Sequence, residues 1–331
     1  GLLDVAVSAL GGELRSARVT GPLGRELEAS YAMLADGTAI IEMALASGIA
    51  LLEPHELNPI LATTRGTGEL FIHAINAGAK HVVIGLGGSA TNDGGMGFGE
   101  ALGFRFLDPH GKRLQATGEN LSRVSQIQNT DVGARIAGIT VECASDVTNP
   151  LCGPQGASAV FGPQKGATDD MVQQLDDGLR SIAKIVERDL GQDLANEPGA
   201  GAAGGLGFGV MAFAGGKVRS GIDLVMEHLN LSDALQGADL CITGEGRIDD
   251  QTQFGKAPAG VARLARERGV PCIALAGSIG SDLGSLPDEG LTASFALADG
   301  PMTLEESMLD TERLLTRAAE QAVRLFQASA G

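Results

Sequence analysis

Three stretches, Ala238-Asp-Leu-Cys-Ile-Thr-Gly-Glu-Gly246, Pro271-Cys-Ile-Ala-Leu-Ala-Gly277 and Ala293-Ser-Phe-Ala-Leu-Ala-Asp299, share one form: a short apolar β run closed by glycine or an acid. A strand with one wet face would alternate. Continuous apolar runs instead read as parallel strands buried on both faces. Helical segments separate them, at Ala257–Arg268 and near Leu283–Gly290, and an amphipathic helix from Thr303 to about Ala328 closes the chain. Residues from about 233 onward are therefore expected to form a doubly wound α/β unit.

HVVIGLGG (81–88) repeats the form earlier, but a second texture surrounds it. Arg18–Gly24, Leu27–Leu34, a turn at Asp36-Gly37 and Thr38–Met43 suggest antiparallel strands, and Phe104–Asp108 with Lys112–Leu114 suggests another hairpin. Helices are expected at Gly68–Ala77 and Met171–Leu190. The reading is α/β with two domains: a parallel sheet domain from 1–11 plus 233–331, and an inserted mixed α/β domain over 12–232.

Composition narrows the class. Of 331 residues 49 are glycine, about twice ordinary usage, while aromatics make up 3% and tryptophan is absent. The 44% apolar share excludes a disordered chain, and the lack of a G-X-Y period excludes collagen. A net charge of −17 without any basic block argues against nucleic acid and anionic membranes as partners. No apolar stretch is long enough to span a bilayer. The four cysteines are scattered without metal-ligand spacing, which points to reduced thiols and a cytoplasmic location. A homo-oligomer is neither required nor excluded.

Four glycine-rich clusters carry the chemistry. GLGGSATNDGG (85–95) follows a strand; Gly87 and Gly88 let backbone amides approach an anion, Ser89, Thr91 and Asn92 add neutral donors, and Asp93 adds a carboxylate. A tight turn needs fewer polar groups than this. The same loop imitates a dinucleotide fingerprint, as Gly85-x-Gly87-x-x-Ala90, so an NAD-dependent dehydrogenase is a rival, although Thr-Asn-Asp-Gly-Gly intervenes before any helix. In the second cluster Asp146 stands just past an apolar run, where α/β proteins build sites. An Asx turn before Pro150 explains it as well. Lys165, in FGPQKG (161–166), meets a phosphate or is a solvated loop lysine.

The third cluster, PGAGAAGGLGFG (198–209), offers the amides of Gly201, Gly204 and Gly205 at a helix start, or merely lets helices pack closely. The fourth, at a strand end, mixes Glu245, Arg247, Asp249 and Lys256. Phosphoryl transfer needs cations to spread charge and an acid for the metal or the nucleophile; surface ion pairing is the plainer account. Walker A, H-R-D, D-F-G, G-x-S-x-G and H-E-x-x-H motifs are all missing, and the five histidines are dispersed.

Taken together, GLGGSATNDGG (85–95), ASDVTNPLCGPQGASAVFGPQKGA (144–167), PGAGAAGGLGFG (198–209) and ITGEGRIDDQT (242–252) resemble the hallmarks of the type I bacterial glycerate kinases. They come in the family's order, and the resemblance covers about residues 1–326. It implies ATP- and Mg²⁺-dependent phosphorylation of D-glycerate, most often to 2-phosphoglycerate. It also implies a mixed domain inserted into a parallel, flavodoxin-like one. Members open with a strand ending in a motif like APDSFK and carry ADGGEG before the segment matching Gly1-Leu2-Leu3. Neither motif occurs here, so an N-terminal βα stretch is expected to be missing, and a catalytically inactive glycerate-binding fragment stands as an alternative.

Within that reaction Asp93, Asp146 and Asp249 are candidates for metal binding or hydroxyl activation. Arg247, Lys256 and Lys165 are candidates for phosphate or carboxylate contact. Glu245 and the loops at 87–92 and 201–209 complete the expected binding set.

Overall fold

The computed structural model of the protein describes residues 2–129, 132–253 and 256–329. The chain divides into two compact units, 1–221 and 222–331. Residues 1–11 fall with the first unit and 222–232 with the second.

The first unit is built on a six-stranded mixed sheet. Its strands are β1 (Gly12–Thr20), β2 (Glu26–Leu34), β3 (Thr38–Glu42), β4 (His81–Gly85), β7 (Thr140–Ala144) and β8 (Lys217–Arg219), in that spatial order. β1, β2 and β3 pair antiparallel, whereas β3, β4, β7 and β8 run parallel. Asp36-Gly37 makes the β2–β3 turn as anticipated: Gly37 takes φ +85°, and the Asp36 carboxylate accepts from the Thr38 amide at 2.8 Å.

The second expected hairpin is only half formed. β5 (Arg105–Leu107) pairs with β6 (Gln126–Gln128), and the 112–114 return contributes a single bridge, Leu107 to Arg113. The reason is local. The Asp108 carboxylate takes the amides of His110 and Lys112, both at 2.9 Å, which closes a tight loop in place of a ladder.

The helix Asp169–Leu190 shows how sequence sets an element here. Thr168 caps it by accepting from the Met171 amide, Asp169 and Asp170 face the positive end of its dipole, and Gly191 ends it at φ +72°. Leu175, Leu179, Ile182 and Val186 recur on one face and are fully buried. At roughly 1.5–3 kcal/mol per buried aliphatic side chain, that face rather than propensity holds the helix.

The second unit is a three-stranded parallel sheet, β11 (Leu291–Ala296), β10 (Cys272–Ile279) and β9 (Cys241–Ile248) in spatial order. One face packs Cys272, Ala274 and Ala276 with Ala259, Ala262 and Ala265 of the helix Ala257–Glu267. The other sets Ile273 and Leu275 against Ala318, Ala319 and Ala322 of the helix Thr311–Ser329. Helices cover both faces, as the continuous apolar runs imply. The closing segment is two helices, Leu304–Leu309 and Thr311–Ser329, divided at Asp310, whose φ of −105° and ψ of 17° depart from helical values. Among the described residues no helix is long and apolar enough to cross a membrane.

Candidate active site

β4 and β7 are neighbours in the parallel part of the first unit's sheet, with Gly85 opposite Ala144. Their carboxyl ends launch the 85–95 loop and the Asp146 segment, the place where open α/β sheets gather ligand sites. Asp146 is exposed there and accepts from the Gly221 amide at 3.1 Å and the Ser220 hydroxyl at 3.3 Å.

Asp93 sits differently. Its carboxylate is wholly buried and accepts from the amides of Thr64 (2.8 Å), Gly95 (3.0 Å) and Gly97 (3.1 Å), and from the Thr64 hydroxyl (2.9 Å). Burial pushes its carboxyl above the usual range, and these hydrogen bonds oppose the shift. Every direction from which a metal or a substrate hydroxyl could approach is taken by the protein's own donors. This placement makes Asp93 an anchor that ties the loop to the helix Met96–Leu102 and to Thr64. Nothing in the sequence around Thr64 signals that partnership.

A cavity of about 320 Å³ opens beside the same loop, lined by Gly87, Gly88, Ser89, Phe161, Lys165 and Ala203 among others. Lys165 is only 1% exposed, and its amine donates to the Thr91 carbonyl at 2.8 Å. Burial lowers this amine to about 7, against the opposing charge of Asp93. Lys165 is therefore no solvated loop lysine. Gly88 takes φ +72°, and among the described residues the amides of Gly87 and Gly88 donate to no other protein group.

Thr91 and Asn92 do not line the cavity. Both are fully buried: the Thr91 hydroxyl donates to the Ala203 carbonyl and the Asn92 amide to the Ser158 hydroxyl at 2.7 Å, while among the described residues Asn92 Oδ1 has no partner. The glycines of 198–209 serve close backbone packing. A Cβ at Gly201 would lie 2.3 Å from the Pro150 carbonyl oxygen, one at Gly204 1.9 Å from that of Thr91, and one at Gly205 2.7 Å from Gly94 Cα. Ala203, Gly204 and Gly205 form a left-handed turn before the regular helix, and φ +53° at Ala203 is strained for a residue with a side chain.

In the second unit the fourth cluster lies at the carboxyl end of β9. Arg247 pairs with Asp249 at 2.9 Å and Lys256 with Glu245 at 3.5 Å, while the second Glu245 oxygen is buried and, among the described residues, has no partner. The Asp249 amide donates to the buried Thr252 hydroxyl, which shapes the turn. Gly255, the end of this glycine-rich stretch, lies outside the described residues. Among the described residues no three His, Cys, Asp or Glu side chains converge to hold a metal ion.

The dehydrogenase rival fails on geometry. A dinucleotide fingerprint must open directly into its helix, but β4 ends at Gly85 and the next helix begins at Met96, after a left-handed Gly95.

The parallel-strand end with its undonated glycine amides and buried lysine suits an enzyme that takes an anionic substrate, and comparison with known proteins gives its class and family. The family model of the glycerate kinases matches residues 1–327. The chain is 43% identical over 328 residues to a glycerate kinase of Bacillus cereus, covering 99% of this chain and 86% of that one. It is 42% identical to the glycerate 2-kinase of Escherichia coli over 320 residues, 96% of this chain and 84% of that one. A crystal structure from Salmonella typhimurium LT2, provisionally designated glycerate kinase 2, superposes with a TM-score of 0.88 at 42% identity, over 99% of this chain and 86% of that one. The protein belongs to the glycerate kinase family, and is an enzyme of the phosphotransferase class.

Proposed function

We propose that the protein transfers the γ-phosphoryl group of ATP to D-glycerate, yielding 2-phosphoglycerate. The observation that carries this reading is the match of a single family over residues 1–327, with a glycerate 2-kinase among the relatives above 40% identity. In the reaction a glycerate hydroxyl oxygen bonds to the γ-phosphorus, the bond from that phosphorus to the β–γ bridging oxygen breaks, and ADP leaves. In the first unit Asp146, exposed at a strand end, is the candidate to take the hydroxyl proton. In the second unit Arg247 and Lys256 are the candidates to spread the charge of the phosphates.

Glu245 and Asp249 suit Mg²⁺, because Glu245 offers a buried carboxylate oxygen with no partner among the described residues and this ion takes one or two carboxylates with phosphates and waters. When bound, Mg²⁺ neutralises charge on the phosphates. Asp93 is left out of this chemistry because its oxygens are occupied. The free thiols of Cys143, Cys152, Cys241 and Cys272 suit a reducing compartment, and we take the cytoplasm as the location.

Incubation of the full chain with ATP, Mg²⁺ and D-glycerate, with the products read by ³¹P and ¹³C NMR, tests the reading. ADP and 2-phosphoglycerate are the expected products. The 3-phosphate would overturn the regiochemistry, and the absence of any phosphoglycerate would overturn the activity.

A further inference from the structure

We propose that the cavity between the 87–89 loop and Lys165 is the seat of the acid substrate's carboxylate, with Lys165 as its counter-ion and the Gly87 and Gly88 amides as its hydrogen-bond donors. The proposal rests on the glycerate kinase reading and adds to it where the acid end of the substrate lies. Three independent features of the cavity support it.

The first is charge. A lysine 1% exposed is costly to ionise unless an anion meets it; among the described residues its amine donates to the neutral Thr91 carbonyl, and the charge of the buried Asp93 carboxylate, which is held by its own donors, offsets only part of that cost. The second is the backbone. The two amides that Gly87 and Gly88 leave undonated among the described residues border the same cavity, and Gly88 takes the left-handed conformation that anion-binding backbone loops use. The third is strain. Ala203, one of two described non-glycine residues at positive φ, lies in the wall of this cavity, and such strain persists where the surrounding structure demands it.

Size and charge decide which anion. At about 320 Å³ the cavity is at the bottom of the usual range for ligand sites, roughly 300–1,000 Å³. Its lining holds one cation, Lys165, and apolar walls from Ile49, Leu86, Val147 and Phe161. One buried cation matches one carboxylate. A triphosphate, with several charges and a purine attached, calls for more cations and more room. Asp146 is adjacent in sequence to Val147 of the cavity wall, which keeps the proposed proton acceptor on the segment that borders the bound acid.

The test measures binding and turnover separately on the full chain. Calorimetric titration of D-glycerate, and of its neutral amide glyceramide, is carried out on wild type, K165M and G87A. At position 87 an added methyl meets no protein atom within 4 Å, so G87A keeps the fold while it crowds the cavity. Wild type is expected to prefer glycerate over glyceramide. K165M is expected to bind glycerate on the order of 10- to 100-fold more weakly and to lose that preference, as for a lost charge-assisted hydrogen bond. G87A should also weaken glycerate, with ATP affinity unchanged in both variants. Glycerate affinity unchanged in K165M and G87A, or ATP affinity lost in place of it, overturns the proposal. Wild type that binds glycerate in this pattern yet makes no phosphoglycerate defeats the kinase reading and leaves the carboxylate site standing. Turnover with an unaltered KM for glycerate in K165M does the opposite.

Discussion

Thr64 holds Asp93 twice, through its amide at 2.8 Å and its hydroxyl at 2.9 Å, and the same hydroxyl oxygen accepts from the Phe98 amide. One threonine thereby fixes the loop after β4 to the start of the next helix.

With amide N–H groups on both Asp93 oxygens, Asp93→Asn must aim an NH₂ group at a donor. Leaving buried donors unsatisfied costs about 1–3 kcal/mol each, so the variant should lose about 2–4 kcal/mol. A fall in Tm by calorimetry checks this; an unchanged Tm would mean that the loop is held by something else.

Lys165 links stability to pH. Its amine is lowered to about 7 in the fold, against an ordinary value of 10.5. Between those values the unfolded chain binds more protons, so stability should rise with pH from about 7 to about 10.5 by a few kcal/mol. K165M should abolish that slope and be more stable than wild type at pH 7. Denaturation midpoints across the range decide it. Glycerate affinity runs the other way, since above pH 7 the neutral amine must take up a proton to meet the acid.

Glu142 bridges three parallel strands, accepting from Arg219 of β8 at 2.7 Å and lying 2.6 Å from the His81 ring on β4. Burial raises its carboxyl, but Arg219 and His81 prevail and hold it below the ordinary value of 4.5. Its contribution is therefore present above about 4.5 and is lost as pH falls through the lower folded value. We expect Glu142→Gln to cost about 1 kcal/mol at neutral pH, because the partners are partly exposed. The wild-type advantage should vanish in acid melts; an advantage that survives there sinks the account.

The left-handed turn gives a paired test. Ala203→Gly relieves a strained φ and should stabilise by about 1 kcal/mol. Gly204→Ala forces a Cβ to within 1.9 Å of the Thr91 carbonyl oxygen, and should cost more than about 3 kcal/mol or yield insoluble protein. Equal, mild effects at the two positions would contradict the geometry.

Asp249→Ala tests the β9 cluster. If Asp249 holds Mg²⁺ as proposed, its loss should lower kcat by about 100-fold or more, with Tm little changed because the Arg247 pair is exposed. A normal kcat removes Asp249 from the chemistry.

The apolar runs at 241–248, 272–279 and 291–296 and the four glycine clusters were legible because each is a contiguous local signal: burial on both faces, or bare backbone, is written within a few residues. Their order along the chain also determined the family. Only the tertiary structure decided what individual side chains do. Asp93 and its partner Thr64 are 29 residues apart, and Lys165 meets a carbonyl 74 residues away. At Gly201, Gly204 and Gly205 backbones approach too closely for a side chain, whereas the amides of Gly87 and Gly88 donate to no protein group among the described residues. Residue type and spacing state which groups a segment carries. Whether a carboxylate is sealed or an amine is desolvated depends on what distant segments bring against it, because solvation and hydrogen bonding act through space rather than along the chain.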